Sequence, residues 1–286
     1  MLSLDQALGQ ARAAAREKLE QHFDAALFAY YGDIRPEYLQ FFRRHLETVQ
    51  SAHGDHKRRL ILILNTPGGH VETVEQMVVM IRHFYDEVFF VVPNMAMSAG
   101  TIFCMSGDKI YMDYSSALGP IDPQVQSKEG NWVPALGYLD KFEEILQKSR
   151  DGILTNVEFA IAQSQDMAVL RRYEQARDLS VSLLKTWLVQ YKFRNWDTHR
   201  STGQAVTVTE KEARAQEIAA QLGDNKVWHS HGRMIGIEVL QQKLRLEIDD
   251  YSSDVDLRKN INQYHDLVAD YVSQKQWPVF VDGKGI

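Results

Sequence analysis

The chain has 286 residues, 44% of them hydrophobic and 24% charged, with a formal net charge of −6. That balance is ordinary for a soluble domain with a sizeable core, and its sign argues against nucleic acid or an anionic membrane as partner. One cysteine, Cys104, excludes an intrachain disulfide and fits a reducing, cytoplasmic setting. No basic segment followed by an apolar run opens the chain, so no signal peptide is expected. Residues 3–30 read as a helix. Ser3 and Gln6 have the spacing of a capping box, and Leu19, Phe23, Leu27 and Tyr30 recur at helical intervals. A second helix is expected near 36–49. Leu60–Leu64 is a continuous apolar run, the pattern of a strand buried on both faces, and Asn65-Thr66-Pro67-Gly68-Gly69 turns the chain after it. Val71, Val74, Val78, Ile81 and Tyr85 then mark the apolar face of a helix.

Val88–Val92 is the next strand and Lys109–Met112 a third. The uncharged stretch 88–107 is long enough to span a bilayer, but Pro93-Asn94 interrupts it, and membrane association is not expected. The order β-α-β-α-β predicts a parallel sheet with right-handed crossovers. Helices are expected near 135–149, 166–193, 210–222 and 255–272, with a loop over 195–209. The expected organisation is an N-terminal helical extension (1–55), an α/β catalytic domain (56–250) and a C-terminal helical extension (251–286).

In a parallel α/β sheet, functional groups collect where strands end and helices begin. Two such turns are close in sequence. At Gly68-Gly69 the backbone can come close to a ligand. At Met97-Ser98-Ala99-Gly100 a hydroxyl stands at a helix start, where it can attack a carbonyl. The Ala99 N–H and one from the glycine pair could hold the resulting oxyanion. Each feature also has a plainer reading, as a common turn and as an N-capping serine. Phosphate binding is open too, although neither the dinucleotide nor the P-loop glycine pattern is present.

Three ordered motifs, N-T-P-G-G at 65–69, M-S-A-G-T at 97–101 and L-G-P-I-D-P-Q at 118–124, resemble those of the Clp-protease/crotonase-like fold as used by serine peptidases. The likeness is to the SppA-type signal peptide peptidases, and within them to the serine dehydrogenase proteinases, and is strong from Leu60 to Val125. It implies a parallel β-sheet core of repeated β-β-α or β-α units. It also implies Ser98 as nucleophile, Gly69 and Ala99 as oxyanion-hole donors, and a substrate cleft lined by Gly68, His70, Pro120 and Asp122. Substrate would lie extended along Gly68–Val71 as an added strand. Where Clp subunits carry their histidine this chain has Pro120-Ile121-Asp122, so that triad is not expected. SppA-like enzymes use a lysine instead. Lys141, in an apolar helix start, is favoured over Lys128, in a polar loop, although Asp140, Glu143 and Glu144 oppose the lowered pKa that the role needs. His70 is a further alternative base.

His229 and His231 in W-H-S-H-G-R have no third ligand in range and read as a packed turn, not a metal site. Arg233 could pair with an acid. Cys104 reads as a small buried hydrophobe. No cofactor is expected. The partners expected are a peptide or protein substrate and further copies of the chain, since members of this fold form oligomers. The alternatives are a crotonase-like enzyme acting on an acyl thioester, and a non-catalytic assembly or binding relative.

Overall fold

In a computed structural model, which describes residues 3–54, 58–122, 124–126, 132–199 and 202–286, the first helix ends earlier than its spacing predicts. Helix α1 (Leu4–Phe23) begins with the Ser3–Gln6 capping box and ends at Asp24, whose left-handed φ of 47° turns the chain out. Ala26–Gly32, expected to continue the helix, form strand β1. Alternate residues of this segment are buried on opposite faces, which a helix could not achieve. Phe28 and Tyr30 enter one core, and Leu27, Ala29 and Tyr31 the other.

A single 3₁₀ turn (Pro36–Tyr38) leads into α2 (Leu39–His53), β2 (Arg59–Asn65), α3 (Val71–Phe84), β3 (Glu87–Val91), β4 (Met95–Ala96), α4 (Ala99–Cys104), β5 (Lys109–Met112) and β6 (Ala117–Leu118). Next come β7 (Gln124–Gln126), β8 (Trp132–Pro134), α5 (Ala135–Arg150), α6 (Asn156–Gln163) and α7 (Met167–Trp187), which continues into a π-turn (Leu188–Lys192). The chain ends with α8 (Val208–Gly223), α9 (Asn225–Trp228), α10 (Ile237–Gln242), β9 (Asp249–Asp250), α11 (Val255–Lys275) and β10 (Val279–Gly283).

The main sheet has the order β10-β1-β2-β3-β5-β9, parallel throughout except for β10, which runs antiparallel to β1. Both segments expected as helical extensions therefore supply a strand. Leu60, Leu62 and Leu64 pack with α2, α3, α4 and α8, whereas Ile61 and Ile63 pack with α1 and α11. This two-sided burial explains the unbroken apolar run of β2. A buried charge cluster ties the chain ends together. Asp282 of β10 meets Arg12 at 2.9 Å and Arg16 at 3.2 Å, both from α1, and accepts from Tyr264 Oη of α11 at 2.8 Å.

A smaller sheet lies past the carboxyl ends of β2 and β3. Thr66 bridges Ala96, β4 pairs with β6 in parallel, and Leu118 bridges Ile235 in the antiparallel sense. It sets the turns after β2, β4 and β6 side by side. No helix among the described residues is long and apolar enough to cross a membrane.

Candidate active site

Ser98 is the N-cap residue of α4, yet its side chain makes no capping hydrogen bond. Its backbone has φ 53° and ψ −115°, a conformation that costs a non-glycine residue about 1–3 kcal/mol and persists only where the surroundings impose it. Two contacts impose it. Gly100, one turn in, lies so close to Thr66 that a Cβ would stand 2.5 Å from the threonine methyl. The Thr101 hydroxyl sits 2.8 Å from the Ala96 carbonyl and 2.9 Å from both the Gly119 carbonyl and its N–H. The chain must therefore bend sharply at Ser98, which leaves the half-buried hydroxyl uncommitted to the helix.

Gly68 and Gly69 both have positive φ, 106° and 147°. A Cβ on Gly68 would fall 2.6 Å from the Met97 carbonyl oxygen and 3.0 Å from Ser98 Cβ. On the other side, Ile34 donates to the Gly68 carbonyl at 2.9 Å and accepts from the His70 N–H at 2.9 Å. Ile34 thus occupies the edge formed by Gly68 and His70, which corrects the expectation that the whole of Gly68–Val71 is open to an added strand. The alternate groups, on Gly69, remain. Among the described residues neither the Gly69 nor the Ala99 N–H has a hydrogen-bond partner. His70 is exposed and makes no side-chain cap on α3.

Pro120 and Asp122 follow Gly119, which packs on Met97 with 3.2 Å between a built Cβ and Met97 Cα. Both are buried. Asp122 Oδ1 lies 2.9 Å from His231 Nδ1, a pairing that the sequence reading missed. The H-S-H signal was visible, but its partner is remote in sequence.

Lys141 is placed differently from the expectation. Its side chain is 53% exposed and its ammonium pairs with Glu144 at 2.9 Å on the same helix, so the desolvation asked of it is absent. Hydrogen bonds from Lys141 and then Lys148 hold Glu144 below the usual carboxylate range. Lys128 lies outside the described residues. Burial pulls Lys192 down to about 8, against the raising effect of Asp249 and Glu247. That lysine lies beside Lys109 and Asp108, at the amino end of β5, whereas Ser98 follows the carboxyl end of β3. Cys104 is buried in α4, and burial pushes its thiol up, out of reactive range.

A family model described as ClpP-like SDH-type serine proteinase matches residues 43–204, more than half of the chain. The chain belongs to this family. The match takes in both glycine and serine turns and the L-G-P-I-D segment, so the ClpP-like fold follows with it. Among curated relatives, uncharacterized protein MJ0137 of Methanocaldococcus jannaschii is 38% identical over 80 residues, 28% of this chain and 27% of that one. MJ1495 of the same organism is 29% identical over 139 residues, 46% of each. Membrane protein NfeD1b of Bacillus subtilis is 35% identical over 79 residues, 28% of this chain and 17% of that protein. The chain thus matches less than half the length of each of these relatives. Similar solved structures include two variants of 1510-N, a membrane-bound stomatin-specific protease. The serine-to-alanine variant has a TM-score of 0.44 at 16% identity, covering 78% of this chain and 77% of its own. The lysine-to-alanine variant, in complex with a substrate peptide, has 0.43 at 17%, covering 78% and 73%.

Proposed function

We propose that the chain is a serine endopeptidase that cleaves a peptide or protein substrate through an acyl-enzyme on Ser98. The observation that carries this reading is the strained backbone of Ser98 combined with a hydroxyl that does not cap its helix. A serine retained only to start α4 would use the oxygen it brings. In the proposed reaction Ser98 Oγ attacks the scissile carbonyl. The N–H groups of Gly69 and Ala99 receive the oxyanion. The base takes the Ser98 proton and returns it to the leaving amine, and water then releases the acyl group with the same base assisting.

Lys141 is the proposed base. To act, it must leave Glu144 and approach Ser98 with its charge suppressed by desolvation. Both partners are exposed, so the pair is weak and its loss costs little. The same account places Gly68, His70 and Pro120 along the substrate. It holds that the enzyme works in the cytoplasm as a homo-oligomer. The exposed Ile153, Val157, Phe159 and Ile161 around α6 offer an apolar surface for self-association. The reading is tested by peptide-bond cleavage in wild type and Ser98→Ala. The variant should keep the wild-type circular dichroism spectrum and lose cleavage; equal cleavage by both removes Ser98 from the mechanism.

A further inference from the structure

The segment His229–Ile235 forms a wall along Leu118–Asp122, the segment that packs on the Ser98 turn, and it is fixed at two points. Ile235 and Leu118 exchange backbone hydrogen bonds at 2.8 and 3.0 Å. Four residues farther along each segment, His231 Nδ1 and Asp122 Oδ1 meet at 2.9 Å. Below this contact, the Ile121 N–H donates to the Leu222 carbonyl at 3.1 Å, and Trp228 Nε1 donates to the Gln221 carbonyl at 2.6 Å. The L-G-P-I-D segment is in turn locked to the nucleophile turn through Gly119, Thr101 and Met97. His231 is therefore held, through Asp122, in a fixed relation to Ser98.

The pair is asymmetric. The Asp122 side chain is 1% exposed and that of His231 is 26% exposed. An ionised carboxylate only accepts, so Nδ1 carries the proton, and when the ring is neutral Nε2 is an acceptor. Among the described residues nothing donates to Nε2. A buried acid that orients a partly exposed imidazole is more than the wall needs for its own cohesion, because the Leu118–Ile235 bridge already joins the two segments.

We propose that His231, oriented by Asp122, is a substrate-binding residue whose Nε2 accepts a backbone N–H of the peptide lying against Ser98. The inference rests on the serine peptidase reading and adds the residue that holds the substrate chain. Asp122 is then a positioning residue, acting through His231, and not a direct contact of the substrate.

Two probes with the same fluorophosphonate warhead test this, one bearing a short alkyl chain and one a tripeptide. The readout is the ratio of their labelling rate constants at Ser98. His231→Ala should lower the tripeptide-to-alkyl ratio about fivefold, the worth of one hydrogen bond. His231→Asn is the decisive variant. Its amide can still donate to Asp122, which preserves the unfolding midpoint, but nothing replaces Nε2, so the ratio should fall as it does in His231→Ala. A wild-type ratio in His231→Asn overturns the inference and reduces the pair to a clamp. Failure of wild-type Ser98 to react with either probe overturns the peptidase reading and this inference with it, whereas reaction with an unchanged ratio in both variants overturns the inference alone.

Discussion

Gly68 and Ser98, on successive strand-to-helix turns, meet so closely that a methyl group on the glycine would stand 3.0 Å from Ser98 Cβ. The contact is what converts two separate turns into one site. It sets the Gly68-Gly69 turn against the Ser98-Ala99 turn, with the Ala99 nitrogen 3.4 Å from a Cβ built on Gly68, and Ile34 braces the first turn through hydrogen bonds to Gly68 and His70.

That brace makes Gly69 the most sensitive position in the first turn. With φ at 147° and a built Cβ only 2.0 Å from the Ile34 carbonyl oxygen, Gly69→Ala must displace the backbone that carries the proposed oxyanion donor. Loss of one such donor typically costs a hundredfold or more in turnover. Gly69→Ala is expected to lower kcat by about that factor while the protein stays folded. Steady-state cleavage beside a melting curve checks it, and more than half of wild-type turnover would remove Gly69 from the mechanism.

The base is examined with a pair of variants. Lys141→Ala should lower kcat by roughly 10²–10⁴, the usual contribution of a positioned base. Glu144→Gln removes the anion that holds Lys141 on its own helix, and kcat at neutral pH should then equal or exceed that of wild type. Unchanged turnover in Lys141→Ala would return the role to Lys128 or His70.

The β2–α3–β3 unit and the two turns were legible because each rests on local pattern: two-sided burial, helical periodicity and turn residues. The segments that were misread depend on remote partners. Phe23, Leu27 and Tyr30 keep the four- and three-residue apolar spacing of a helix, and only the left-handed Asp24 and the pairing with β2 and β10 make the segment a strand. Val279–Gly283 becomes a strand by pairing with that same segment, far away in sequence. The Asp122–His231 pair spans 109 residues and follows from the Leu118–Ile235 bridge, which no local pattern announces. The apolar neighbours of Lys141 in sequence suggest desolvation, but its exposed side of α5 decides otherwise.

The Asp282 cluster predicts where stability resides. Asp282→Ala leaves two arginines facing a pocket without their anion and the Tyr264 hydroxyl without its acceptor. Breaking a buried pair in this way costs about 3–5 kcal/mol. Chemical denaturation should show a loss of that size, and a loss below about 1 kcal/mol would mean that the ends of the chain are held by packing alone.

Lys192 predicts a pH dependence. Its folded value of about 8 lies below its ordinary 10.5, because burial disfavours the charge. As pH falls from 10.5, the unfolded chain takes up the proton first and the folded chain only near 8. Stability from this group is therefore complete above 10.5, declines across that window and is lost below 8. Lys192→Met removes the effect. It should melt at a higher Tm than wild type at pH 7, with the gap closing as pH approaches 10.5. A gap that is constant with pH would contradict the assignment.

The central claim is that Ser98 is an activated nucleophile, and mapping a fluorophosphonate adduct by peptide mass spectrometry tests it most directly. The account predicts one adduct, on the peptide containing Ser98, formed faster than on free serine and absent in Ser98→Ala. No adduct on wild type, or an adduct that persists in Ser98→Ala, would contradict it.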